Sequence, residues 1–191
     1  LNIIVGNVEL AMASLPKWMD AHENLNEARE ACLRVRDLVR QMLLFARKAS
    51  HTVSAIHVEE IANESMRLVR AAIPTTVEIH REIMEDLPPI LADPSQIQQV
   101  IMNLCTNAGQ AMEAEGGTLW FTLDSVELET PLDTSTGPIP QGQYVRMQVR
   151  DTGSGISAEN AKSIFDPFFT TKDVGQGTGL GLAVVHGIVK D

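Results

Sequence analysis

Apolar residues recur at three- and four-residue spacing along the opening of the chain. Leu1, Ile4, Val8, Ala11 and Leu15 fall on one helical stripe, and Pro16, which cannot continue a helix, marks its end. From about Asn24 to Lys48 the same period returns through Leu25, Ala28, Cys32, Val35, Val39, Met42 and Ala46, widened by Leu38 and Phe45. Two helices with a short connection form an antiparallel hairpin. Its apolar face has nothing to cover it, and a four-helix bundle built from two copies would bury it. The expectation is a homodimer; the alternative is packing on the second half of the same chain.

Beyond residue 50 the period switches back and forth. "SAIHV" opens as a strand, residues 58–72 form an amphipathic helix stopped by Pro74, and "TVEIHREI" alternates with period two. "PPILAD" reads as a short extended piece. Asp93-Pro94 then starts a helix through "SQIQQVIMNLCTNAGQAM". "GTLWFTLDSVEL" and "QYVRMQVRD" are two more strands, and the Thr/Pro/Gly-rich stretch 129–141 between them is predicted to be a mobile surface loop. Short helices are expected over 158–164 and 178–190. The fold class is α+β: a helical hairpin over 1–50, then a mixed α/β layer domain over 51–191.

Composition narrows the classes. At 191 residues, 44% hydrophobic and 21% charged, the chain is an ordinary soluble globular protein. A formal net charge of -10 argues against binding nucleic acid or an anionic membrane surface. No apolar run approaches the roughly 18 residues that span a bilayer, and no charged-then-apolar leader opens the chain. The expectation is a cytoplasmic location, with upstream segments left to anchor the parent if it is anchored. Cys32 and Cys105 lie on apolar stripes and read as buried free thiols of a reducing compartment.

Three clusters could carry chemistry. Asn103 and Asn107 lie four apart, on one face of one helix. Their amide oxygens suit Mg²⁺, which prefers oxygen donors, although the same spacing also fits two solvated surface residues. In "DTGSGI", Asp151 ends a strand and is followed by Gly153 and Gly155. A carboxylate there can accept from an exocyclic amine such as that of adenine while the backbone approaches a flat ligand; a plain Asp-Gly turn is the other reading. The third cluster, "GQGTGLGLAVVHGIV", offers unencumbered backbone N–H groups leading into a helix N-terminus, a receptor for phosphate oxygens. It lacks both the G-x-G-x-x-G fingerprint and the Lys-Ser/Thr ending of a P-loop. Lys172, just upstream, could add a point charge to a terminal phosphate. A slack loop fits these glycines as well.

The order of the clusters is the specific signal. "DPSQIQQVIMNLCTNAGQAM" resembles the N box, "VRDTGSGI" the G1 box, "IFDPFF" the F box and "GQGTGLGLAVV" the G2 box of the ATP-binding domain of two-component sensor histidine kinases. That domain belongs to the superfamily shared with DNA gyrase, mismatch-repair ATPases and a heat-shock chaperone. "RVRDLVRQMLLFARK" and "LNIIVGNVELA" resemble the dimerisation and histidine-phosphotransfer hairpin. The resemblance implies a Bergerat-type α/β sandwich, with helices on one face of a mixed sheet, that binds ATP and Mg²⁺. Asp151 would accept from adenine N6, beside Gly153 and Gly155, with Ile156 and Leu180 as apolar contacts to the base. Asn107 would hold Mg²⁺, supported by Asn103. Thr171, Lys172, Gly177, Thr178, Gly179, Leu180, Gly181 and Leu182 would surround the phosphates, and Asn103 and Lys172 would support catalysis. Asn103 stands where the gyrase branch has a glutamate that activates water, which favours the kinase branch.

The resemblance also implies an acceptor histidine just upstream of Leu1, phosphorylated in the parent and relayed to an aspartate on a response-regulator receiver domain. The chain alone would bind nucleotide without phosphorylating itself. His22 is too close to Phe45 to be a displaced acceptor, and His51, His57, His80 and His186 read as structural or surface residues. Phe165, Phe168 and Phe169 are expected to pack the base of a lid. Glycine-rich strands that finish the sheet in the family are expected beyond Asp191. A nucleotide-binding dimeric scaffold that transfers no phosphate is the alternative function.

Overall fold

The computed structural model describes residues 2–16, 18–46, 53–134, 137–172 and 177–190, the side chains of 2, 34 and 36–46 excepted. His51, the helix end at 47–48, the connection at 135–136 and Gly175 in the glycine-rich stretch lie outside the described residues. The chain divides into two compact units, Leu1–Ser50 with Thr170–Thr178 and His51–Phe169 with Gly179–Asp191.

In the first unit, α1 (Asn2–Ala13) and α2 (Asp20–Ala46) are in contact. The second helix begins four residues earlier than its apolar stripe indicates, with Asp20 and Glu23 in a first turn where negative charge is favoured. His22 sits in that turn, partly buried. Cys32 is free and half-buried. Ile3 and Leu10 of α1, and Trp18 beyond it, are exposed within the chain.

The second unit runs β1 (Ser54–Ile56), α3 (Val58–Ala72), β2 (Val77–Ile83), β3 (Ile90–Ala92), α4 (Pro94–Ala111), β4 (Gly117–Leu128), β5 (Leu132–Thr134), β6 (Gly137–Ile139), β7 (Gly142–Asp151) and α5 (Gly181–Lys190). The main sheet is ordered β2-β4-β7, with β2 parallel and β7 antiparallel to β4, so it is mixed. β1 and β3 form a separate antiparallel pair. Period-two alternation sends Leu119, Phe121 and Leu123 of β4 and Val77 of β2 to one face. Val58, Ala62, Met66 and Val69 of α3, Ile101, Cys105 and Ala108 of α4, and Met112 just after it meet them in a single core. Burial pushes the Cys105 thiol up to about 12, so it stays protonated and inert.

Local chemistry sets the helix limits. Asp93 caps α4: its Oδ1 accepts from the Ser95 amide at 2.8 Å and the Ser95 hydroxyl at 2.6 Å, and Pro94 occupies the first turn. Arg70 holds the end of α3, donating to the carbonyls of Ile73, Pro74 and Val77.

Three expectations need correction. Residues 129–141 are not structureless, because β5 and β6 pair in them as an antiparallel hairpin, with the Thr134 hydroxyl donating to the Gly137 carbonyl. Residues 158–164 make only a 3-10 turn over Asn160–Lys162; none of the stretch is fully buried, so no side chain anchors a longer helix to the core. The last helix starts at Gly181 rather than 178, because Gly179 has a left-handed φ of 63°, which an α-helix cannot contain.

Phe121 tests the core. Phe121→Ala should destabilise the protein by about 3–5 kcal/mol, as truncation of a fully buried aromatic does. Urea unfolding followed by circular dichroism measures it, and a loss below about 1 kcal/mol would mean that the sheet does not pack on α3 and α4 as described.

Candidate nucleotide site on helix α4

One side of α4 feeds the core; an adjacent row carries the chemistry. Asn103, Asn107 and Ala111 are spaced at i, i+4 and i+8, one above another along the helix. Two segments approach the row through their backbones, one at the asparagines and one at Ala111.

At the upper end the approach is made by α5. Asn103 Nδ2 donates to the Gly181 carbonyl at 3.2 Å. A Cβ added to Gly181 would lie 3.5 Å from Asn107 Nδ2 and 3.8 Å from the Asn103 amide carbon. The first turn of α5 therefore stands directly over both asparagines. The leading N–H groups of a helix have no intrahelical acceptor and carry its positive dipole end, which favours an anion there. Leu180 is only 5% exposed and packs inward, whereas Leu182 is partly buried.

At the lower end the approach is made by the turn that follows β7. Asp151 accepts from the Gly153 amide through Oδ1 at 2.9 Å, leaving Oδ2 for a ligand. Gly153 is pressed against α4: a Cβ there would come within 2.7 Å of Ala111 Cβ and 2.8 Å of the Ala111 carbonyl oxygen. The Ser154 amide donates to that same carbonyl at 3.4 Å. Gly155 has a φ of 71° in open space, and Ile156 is 59% exposed.

Asn103, Asn107, Asp151, Gly153 and Gly181 are thus gathered along one helix row. Gly179 belongs to the same unit, where the Phe168 amide donates to its carbonyl at 2.9 Å. A side chain on Gly179 would overlap the Phe168 backbone, and Phe168 itself has a φ of 68°, strained for a non-glycine residue. The three phenylalanines do not behave alike. Phe165 lies 5.2 Å from the His186 ring of α5, while Phe168 is 63% exposed and anchors through its backbone. Thr171, Lys172, Gly177 and Thr178 fall in the first unit, with Gly177 against Thr170 and Lys172.

Sequence reasoning missed Thr152 and its partners Thr118 and Met112 at the foot of this row. The only signal available to it was a hydroxyl residue directly after Asp151.

No group of three or more His, Cys, Asp or Glu that could hold a metal occurs among the described residues. The Asn107 amide oxygen is a donor of the kind that Mg²⁺ takes beside water and ligand oxygens.

Comparison with known proteins identifies the family. Residues 92–191, which contain α4, the Asp151 turn and α5, match the family described as histidine kinase-, DNA gyrase B- and HSP90-like ATPase. The chain belongs to this family of ATPase domains. It is 33% identical to the sensor kinase CckA of Brucella abortus (strain 2308) over 99% of its length, and covers 19% of that protein. It is 31% identical over its full length to the sensor histidine kinase ZraS of Escherichia coli (strain K12), covering 37% of it. The solved complex of histidine kinase ThkA with response regulator protein TrrA superposes with a TM-score of 0.60 at 24% identity, covering 88% of this chain and 46% of that one. The chain spans well under half the length of the curated relatives described.

The two glycines of the Asp151 turn should respond differently to alanine. Gly153→Ala drives a methyl into the Ala111 backbone and should cost about 1–3 kcal/mol. Gly155→Ala meets no atom and should cost about 1 kcal/mol, from the left-handed backbone alone. Paired thermal melts read the order, and a Gly155 variant less stable than the Gly153 variant would contradict it.

Proposed function

We propose that the row on α4 binds Mg-ATP and that the whole protein is a sensor histidine kinase. The observation that carries this reading is the convergence of Asp151, Asn107 and the first turn of α5 on one helix face. The free Asp151 Oδ2 accepts from adenine N6, and the exposed Ile156 side chain covers part of the base. Asn107 offers its amide oxygen to Mg²⁺, and Asn103 holds the start of α5 in place. The Gly181 and Leu182 amides meet phosphate oxygens. The motif resemblance also assigns Thr171, Lys172, Gly177, Thr178, Gly179 and Leu180 to phosphate binding, with Lys172 countering charge on the transferred group. Bound Mg²⁺ would draw charge from the phosphate oxygens.

Phosphoryl transfer asks mainly for positioning and electrostatic stabilisation, which these groups supply without a general base. Residues 1–50 are the dimerisation and phosphotransfer hairpin, paired antiparallel and completed as a four-helix bundle by a second copy; residues 51–191 are the ATP-binding domain. The parent phosphorylates a histidine upstream of Leu1 and passes the group to a response-regulator aspartate. The likeness to the ThkA–TrrA complex supports this partner class.

A protein extended upstream to include that histidine, given labelled ATP and Mg²⁺, should acquire acid-labile, base-stable label; tight nucleotide binding without label would favour the scaffold. Asp151→Asn, which removes a charge-assisted acceptor, should weaken ATP about tenfold or more. Calorimetry and melting measured together decide it, since a melting loss that accounts for the whole affinity loss would make Asp151 structural.

A further inference from the structure

Thr152 joins three elements at the foot of the nucleotide row. The Thr118 amide of β4 donates to its Oγ1 at 3.0 Å, and its own amide donates back to the Thr118 carbonyl at 3.2 Å. The hydroxyl in turn donates to Met112 Sδ at 3.6 Å, immediately after the last turn of α4. It therefore uses both its acceptor and its donor capacity inside the protein. Space for it is made by Gly117, where a Cβ would fall 2.5 Å from Thr152 Oγ1 and 2.7 Å from Met112 Sδ.

The neighbours on either side of Thr152 are the two ends of the Asp151 turn. The Gly153 amide orients the Asp151 carboxylate at 2.9 Å, and Gly153 itself rests on Ala111, one turn below Asn107. A rotation at residue 152 would swing the Asp151 carboxylate relative to Gly153, which α4 holds.

We propose that Thr152 is a positioning residue for base recognition: its hydroxyl locks β7 to β4 and to α4, and so fixes where the Asp151 carboxylate points. This rests on the reading of Asp151 as the adenine acceptor. Adenine presents an amine donor at its six position and guanine a carbonyl acceptor, so a carboxylate held in one place accepts from the first and repels the second. Selectivity between them depends on how firmly it is held.

The test is the ratio of ATP to GTP affinity, measured by calorimetry on the folded chain well below its melting temperature. Thr152→Val keeps the shape and removes both hydrogen bonds; it should lower the ratio about fivefold or more, the equivalent of about 1 kcal/mol. Thr152→Ser keeps the hydroxyl and should hold the ratio within about twofold of wild type. A valine variant that is less stable but equally selective overturns the proposal, as does a serine variant as unselective as valine. Should the valine variant fail to fold, Thr152→Ala carries the same test, and failure of both makes the hydroxyl a requirement of folding alone. Asp151→Asn separates the two levels. If it keeps the wild-type ratio, the base reading itself is wrong; if it loses the ratio while Thr152→Val keeps it, only the positioning role is.

Discussion

The close approach of two backbones to one face of α4 governs the second unit. α4 is fixed from below by the core, where Ile101, Cys105, Ala108 and Met112 meet the β4 side chains. On the adjacent row, Gly153 and Gly181 bring the end of β7 and the start of α5 to within van der Waals distance of Ala111, Asn103 and Asn107. At Gly181 a Cβ would make only ordinary contact, but a side chain on Gly153 would push the end of β7 away. The carboxylate and the helix N-terminus would then no longer share a wall. Because α4 is held by a packed core, the separation between them is set by a rigid rod rather than by loop preferences.

The chemistry on this rod is polar but uncharged. Asn103 spends its amide N–H on the Gly181 carbonyl, which sets how α5 enters. A carboxylate at that position would meet the carbonyl with like partial charge and could not donate to it. An asparagine there orients α5 and adds no carboxylate to the row.

Long periodic elements were legible in the sequence because their burial is set by period alone. α3, α4 and the β2, β4 and β7 strands fall where apolar spacing puts them, and Asp93-Pro94 marks the start of α4 through local hydrogen bonding. The failures lie where a single backbone angle or a distant partner decides. The left-handed Gly179 delays α5, and the β5–β6 hairpin forms in a stretch whose composition reads as loop. The residues gathered on the α4 row were named from their motifs. That Gly153 touches Ala111, or that Thr152 bonds Thr118 across 34 residues, depends on sheet register and cannot be read from spacing.

Net charge poses a final problem, since a chain at -10 should repel a polyphosphate. The distribution answers it. α4 has no charged residue along its 18 positions, and α5 carries only Lys190, at its far end. Exposed acidic side chains lie on other elements, as at Glu60 of α3 and Glu82 of β2. At physiological ionic strength, exposed charges beyond a Debye length of about 8 Å are largely screened. The helix dipole and backbone amides act at contact distance, where screening is weak. The neutral lining leaves the choice of ligand to fixed amides and one carboxylate, Asp151.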